Sequence, residues 1–302
     1  MEIKYLPHNE INKVKWDRCI NRAFNGNIYA YSWYLDIVSE DWEALIDGDY
    51  ETVMPLTLKN KFGIYYLAQP LYSQQLGVFS TKKLDHSIVE EFLKNIPAKF
   101  KFVDIKLNKY NLISELPVRQ IKQVTFELDL IKPYEKTYER YNQNTKRNLK
   151  KALKNNVSII KGLGVNEIIE FKKEVQKKPL SERYYNAIRR IISFSILHRI
   201  GEIYGAYDDR NTLCAAAFFI GSHNKVLYLF AASNQLGIEN SAMFLLIDHY
   251  IKKNSEKNLT LDFEGSNLEG LARFYGGFGA KECKYLNIRM NNLPWPLKYL
   301  KN

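Results

Sequence analysis

VLYLFAASNQLGIENSAMFLLIDHYIKKNSEKNLTLDFEG, residues 226–265, is the stretch on which the fold turns. Val226–Phe230 is an unbroken apolar and aromatic run. It continues through small residues to Ser233 and reads as a strand. Asn234-Gln235-Leu236-Gly237 is a turn signal, and an amphipathic helix is expected over 239–253. LTLDFEG then predicts a second strand over 259–265. Strand, glycine turn, helix, strand is the alternation of an α/β protein.

Working outward, IYGAYD (203–208) and TLCAAAFFI (212–220) read as hairpin strands ahead of 226–233. The first half shows the same order: WEALID (42–47), ETVMPLTLK (51–59) and GIYYLAQ (63–69) precede Gln74-Gln75-Leu76-Gly77. A helix over 85–96, stopped before Pro97, and a strand over 101–107 follow. An offset of 160 residues sets Gln75-Leu76-Gly77 on Gln235-Leu236-Gly237 and, without a gap, Asp104 on Glu264. The expectation is a duplication of two similar α/β domains, 1–130 and 131–302, with helices over 9–23 and 33–40 opening the first. The segment 134–200 is expected to be mostly helical, beginning with a basic helix over 134–155. There Lys146, Lys150 and Lys154 recur at i, i+4, i+8 with Arg147 and Lys151 beside them. Like charges at that spacing destabilise a helix. The stripe is therefore either a solvated face or a grip on phosphate or carboxylate, with Arg147 as the bidentate member.

With 46% hydrophobic and 25% charged residues the chain reads as a globular protein with a full core. No run reaches the ~18 apolar residues of a membrane span. Residues 1–16 have neither the apolar core nor the cleavage site of a signal peptide, so the cytoplasm is the expected compartment. Three scattered cysteines and five histidines show neither a disulfide framework nor metal-ligand spacing. A net charge of +11 points to an anionic partner or to a lysine-rich proteome. Phosphate-loop, dinucleotide, zinc-protease and nucleophile-elbow motifs are all missing, which disfavours a hydrolase.

ARFYGGFGA (272–280) after LDFEGS (261–266) resembles the end of an N-acyltransferase of the GNAT superfamily. YNQNTKRNLKKA (141–152), followed by that C-terminal half, is similar to the Fem-type peptidoglycan-bridge aminoacyltransferases and their relatives. WYLDIVSEDWEAL (33–45) and QPLYSQQLGVFS (69–80) resemble a less-studied branch of that group. The resemblance covers most of the chain. It implies two tandem GNAT-like domains, each a mixed, mainly antiparallel sheet flanked by helices. It further implies transfer of an acyl or aminoacyl group to an amine, from acyl-CoA or aminoacyl-tRNA as co-substrate, with no tightly bound cofactor. The implied acceptor is anionic and amine-bearing, like a cell-wall precursor; tRNA and the membrane periphery are the implied partners. Two positions depart from the pattern. Fem-type enzymes carry a lysine after the phenylalanine of the last helix, where this chain has Tyr275 after Phe274 and Arg273. A cation at the reacting acyl group then has to come from elsewhere. The pyrophosphate loop R/Q-x-x-G-x-G/A is reduced to Gln235-Leu236-Gly237-Ile238-Glu239-Asn240.

Acyl transfer needs a neutral amine, a polarised carbonyl and a proton route to the leaving group. Glu264 either takes the amine proton or caps the turn that follows it. Tyr275 either donates to the oxyanion or leaving group or packs its helix on the sheet. Ser233, with Gln235 and Gly237, is a candidate for the carbonyl or pantetheine side of the donor. Lys146, Arg147, Asn148 and Lys151 are candidates for phosphates. Gln74 and Gln75 either orient a peptide-like substrate or bond neighbouring backbone. Two other readings stand beside the enzyme: a non-catalytic binding protein on the same fold, and an RNA-binding protein using the basic stripe and the 21 tyrosines.

Overall fold

The computed structural model describes residues 1–178, 180–265, 267–295 and 297–298. The chain forms two compact units, Met1–Gln123 with Lys284–Asn302, and Val124–Cys283. The C-terminal stretch, which the sequence reading grouped with the second domain, thus belongs with the first unit, and the junction lies at 123/124.

The first unit contains β1 (Ile3–Leu6), α1 (Lys13–Arg22), α2 (Ser32–Val38), β2 (Glu43–Asp47), β3 (Thr52–Leu56), β4 (Leu58–Lys61), β5 (Ile64–Ala68), β6 (Phe79–Ser80), α3 (His86–Lys94) and β7 (Phe100–Lys106). The single predicted strand 51–59 is two strands. The chain turns out of one sheet at Thr57, whose hydroxyl donates to Ala68 O at 2.9 Å, and enters another. β1, β2, β3 and β6 form an antiparallel sheet, while β4 pairs with β5 and β5 runs parallel to β7. Helix α3 makes that parallel crossover, which a tight turn cannot make. Asn12 and Asp85 cap α1 and α3 by accepting the N–H groups of Lys15 and Ile88.

β8 (Arg119–Asp129) begins in the first unit and enters the second at Val124; the second unit then contains α4 (Tyr134–Glu139), α5 (Gln143–Lys154), β9 (Ser158–Lys161), α6 (Val165–Val175), α7 (Glu182–Leu197), β10 (Gly201–Tyr207), β11 (Leu213–Ser222), β12 (Lys225–Ser233), α8 (Gln235–Glu239), α9 (Ala242–Asn254), β13 (Thr260–Asp262) and α10 (Glu269–Gly276). The sheet order is β8-β13-β12-β11-β10-β9, antiparallel except for the β12–β13 pair, which α9 connects. Its core gathers Phe126, Tyr204, Phe219, Tyr250, Phe263 and Phe278, with Phe219 stacked on Tyr250 at 3.8 Å. β14 (Lys281–Asn291) runs on from this unit, and its Asn287–Asn291 pairs with β7 in the first.

The basic segment 134–155 is two helices. Asn142 leaves helical geometry, accepts Thr145 N–H with its side chain at 2.8 Å and so starts α5 afresh. Strands β1, β8, β9 and β14 had no counterpart in the sequence reading. The mixed, mainly antiparallel α/β class expected from the sequence is the class observed.

Candidate active site

β12 and β13 are paired for three residues only: Lys225 with Thr260, Val226 with Leu261, and Leu227 with Asp262. Then they part. Against β11, Phe230 faces Phe218 while Tyr228 faces Phe219, so Leu229 is an extra residue with no partner. A bulge of this kind bends its strand and increases its twist. β13 ends at Asp262, three residues before the end expected from the sequence. A cleft of about 520 Å³ opens where the two strands diverge. Ligands of open α/β sheets bind at such carboxyl ends.

A buried polar cluster fixes the point of divergence. Asp262, 2% exposed, accepts Thr125 Oγ1 at 2.5 Å and Glu264 N–H at 2.9 Å on one oxygen. Its other oxygen meets Lys225 Nζ at 3.2 Å, and Lys225 also binds Glu127 Oε1 at 2.5 Å. Burial works against the Lys225 charge, but Asp262 and Glu127 outweigh it and hold the ammonium above its ordinary pKa. The clamp on its own N–H keeps Glu264 in the left-handed region, φ 59°. A side-chain-bearing residue there is strained by about 1–2 kcal/mol. Such strain persists only where its surroundings impose it. Glu264 therefore stands beyond the strand, lining the cleft, rather than on the strand end. The sequence also breaks the strand at Gly265-Ser266, of which Ser266 lies outside the described residues.

Tyr275 lines the same cleft from α10. Its ring stacks on Phe263 at 4.9 Å and is 6% exposed, so it packs its helix on the sheet as well. Burial first, and the charge of Glu264 second, push its phenol pKa well up. The hydroxyl is thus a proton-bearing donor at any working pH.

Ser233 and Gly237 also line the cleft. Ser233 Oγ donates to Cys214 O at 3.3 Å, tying the end of β12 to β11. A Cβ on Gly237 would lie 2.0 Å from Cys214 O and 2.5 Å from Ser233 Oγ. This glycine serves the close packing of α8 against β11. The amides of the loop are turned inward: Gly237 N–H bonds Asn234 Oδ1 at 2.8 Å, Ile238 N–H bonds Asn234 O, and Ser241 N–H bonds Ile238 O. Gln235 is exposed, outside the cleft lining, and donates to Glu239 Oε1 at 2.9 Å.

Of the α5 residues, none lines the cleft. Thr145, Leu149 and Ala152 are buried, leaving the cations on the other face. Lys146 reaches Glu139 O at 3.1 Å and lies over the Tyr138 ring. Arg147 bonds Asn144 at 2.9 Å, and Lys151 is exposed. Asn148 touches the rim of the cleft, accepting Ser241 Oγ at 2.7 Å, and Asn155 joins Asn240 at 2.9 Å. Gln74 and Gln75 belong to the first unit. There Gln75 is buried, accepts Lys109 N–H at 3.0 Å and donates to Gln74 at 2.9 Å, a backbone-bonding role. Asp104, set opposite Glu264 by the 160-residue offset, lies within β7 and pairs with Arg289 at 2.8 Å. It has no analogue of the Glu264 turn.

The sequence reading missed Lys172 of α6, which lines the cleft. The signal was present: Ile168 is buried, and Lys172 follows it by four residues, on the helix face that turns inward.

No protein-family model matches the chain, and no curated protein matches it in sequence. Among solved structures it is similar to FemX, with a TM-score of 0.67, 13% identity and 100% of both chains covered. It is also similar to a conserved protein of unknown function from Bacteroides thetaiotaomicron, at 0.58 and 10% over 94% of this chain and 100% of that one. The C-terminal domain of a putative lysylphosphatidylglycerol synthetase from Agrobacterium fabrum matches at 0.56 and 9%, over 96% and 95%. At these identities the likeness is one of fold. The Fem-like resemblance of residues 141–152 and 261–280 is matched by a Fem-like fold along the whole chain.

Proposed function

We propose that the chain is an N-acyltransferase that moves an acyl or aminoacyl group onto the amine of an anionic acceptor, at the cleft between β12 and β13. One observation carries this reading: a strained carboxylate, Glu264, and a protonated phenol, Tyr275, line the same opening of a parted parallel strand pair. The acceptor nitrogen attacks the acyl carbon while Glu264 takes its proton. The carbon–leaving-group bond then breaks with its electron pair, the departing atom takes the Tyr275 proton, and the proton held by Glu264 returns to the phenolate through solvent, which restores both groups. The fold shared with FemX supports this chemistry. A domain of similar fold belongs to a putative lysylphosphatidylglycerol synthetase; the product in that name is a lysyl ester of an anionic lipid, which supports the aminoacyl donor and an anionic acceptor.

Coenzyme A fits the site less well than an aminoacyl ester. Its diphosphate needs loop amides that are free and face the cleft, whereas those of Gly237, Ile238 and Ser241 are bonded within the loop and Glu239 adds a negative charge beside them. The test is a panel of aminoacyl-tRNA and acyl-CoA donors against muropeptide and aminophospholipid amines, read by product mass. One donor class is expected to give product, and Glu264→Gln to lower its rate by about 10²–10⁴. No product from any donor, or an unchanged rate in the variant, refutes the reading.

A further inference from the structure

Lys172 is the one basic side chain among the described residues lining the cleft, as Glu264 is the one acid. Its place on the inward face of α6 carries the ammonium over β12. There it donates to Ala231 O at 2.8 Å and lies 5.6 Å from the centre of the Phe230 ring. The next residue is treated quite differently. Lys173 meets Glu170 at 3.3 Å and Glu182 at 3.1 Å, as surface lysines commonly do. Lys172 has no carboxylate partner among the described residues, and burial lowers its pKa.

A half-buried ammonium without a counter-ion is costly. Tethering α6 to one carbonyl of β12 does not require that cost, since a neutral amide or hydroxyl donor would serve. An ammonium carries three N–H donors, and Ala231 O takes one. The wall beside it is built of Ala231 and Ala232, whose small side chains leave the ammonium open to the cleft.

We propose that Lys172 is a catalytic residue of the acyl transfer, donating a hydrogen bond to the acyl oxygen as that oxygen becomes negative. This rests on the acyl-transfer reading above. When the amine nitrogen forms its bond to the acyl carbon, the C=O electron pair moves to oxygen, and the Lys172 ammonium stabilises that charge without giving up its proton. As the intermediate collapses, the C=O bond re-forms, the leaving oxygen or sulfur departs with its pair, and the ammonium is unchanged. Glu264 handles the amine proton and Lys172 the oxyanion, which explains one acid and one base in a single cleft.

The experiment compares wild type, Lys172→Met and Lys172→Arg with whichever donor the wild type uses, recording kcat and KM separately. Circular dichroism and melting temperature check that each variant folds. Lys172→Met keeps the length of the packed stem, and its kcat is expected to fall by about 10²–10³ with KM little changed, as for removal of one oxyanion donor. Lys172→Arg is expected to recover part of that loss. In parallel, acetic anhydride labelling of wild type, mapped by mass spectrometry, should show Lys172 protected when the acyl donor is present. A folded Lys172→Met with wild-type kcat, a change confined to KM, or labelling indifferent to donor overturns the role of Lys172 alone. A wild type silent with every donor overturns the acyl-transfer reading and this role with it.

Discussion

Gly237→Ala separates a packing glycine from a ligand cradle. The added Cβ would sit 2.0 Å from the carbonyl oxygen and 2.8 Å from the carbonyl carbon of Cys214, and 2.5 Å from Ser233 Oγ. Ser233 can rotate; Cys214 cannot, because its carbonyl belongs to β11 and also accepts Asn234 N–H at 3.1 Å. Relief therefore requires α8 to lift by about 1 Å, taking the Asn234 cap and the Ser233 bond with it. Overpacking of this kind costs about 1–3 kcal/mol, and a clash on fixed backbone belongs at the upper end. For a unit of this size each kcal/mol is worth about 2–4 °C, so the melting temperature should fall by roughly 6–12 °C. Gly270→Ala is the matched control. It lies in α10 with nothing within 4 Å of a built Cβ. Alanine is better than glycine in a helix by up to about 1 kcal/mol, so this variant should melt slightly higher than wild type. Scanning calorimetry reads both. A Gly237→Ala protein melting within about 1 °C of wild type would refute the packing argument. The glycine would then have to be explained by ligand approach.

Two further outcomes follow from the same geometry. Lys225→Met leaves Glu127 and Asp262 buried without their cation, so urea unfolding should show a loss of about 3–5 kcal/mol. A loss under about 0.5 kcal/mol would mean that the cluster does not hold the strand junction. The thiols report on the core. Burial pushes Cys19 up to about 12, and burial with the Asp208 charge pushes Cys214 up to about 11, while Cys283 is half-buried. At pH 8 Ellman's reagent should find Cys283 first and the other two only on unfolding; rapid release of all three from the native chain would contradict this. The sign of the linkage is also fixed. Folded-state values above the unfolded 9.0 mean that these thiols favour the fold below pH 9, and that this contribution is lost as pH rises through their folded values.

Elements set by local pattern were legible in the sequence. The hairpin strands β10, β11 and β12 and the helix α9 lie within a few residues of their expected positions, because apolar runs and turn residues define them without reference to the rest of the chain. Strands whose partners are far away were not. β14 carries Lys281, Glu282, Lys284 and Arg289, so period alone gives it the look of a surface segment, and pairing with β7 makes it a strand. β8, which pairs with β13, did show alternation in Val124, Phe126 and Leu128, but next to the charged Lys122, Glu127 and Asp129 it was passed over. The basic helix was over-extended because Asn142 reads as one polar residue among many. Its capping bond to Thr145 N–H becomes visible only in three dimensions.

For the site, the residue types were legible and their reasons were not. Glu264 was singled out as an acid at a strand end, yet what places it is a cluster assembled from three strands: Asp262 accepting its N–H, Thr125 sharing the same oxygen, and Lys225 holding the other. No linear spacing relates positions 125, 225, 262 and 264. Gly237 was singled out as a candidate for the donor side of the site, and the structure gives it a packing reason. Lys172 was passed over inside FKKEVQKK, where two adjacent lysines are alike on paper. A helix turns successive residues by 100°, so one lysine meets Glu170 and Glu182 while the other is carried over β12. The position left without a family lysine, Tyr275, and the lysine found on another helix line the same cleft. A cation supplied from α6 rather than α10 frees the α10 position for a residue that both packs on Phe263 and donates a proton-bearing hydroxyl. Tyrosine does both, whereas a lysine there would stack no ring on Phe263 and offer no hydroxyl.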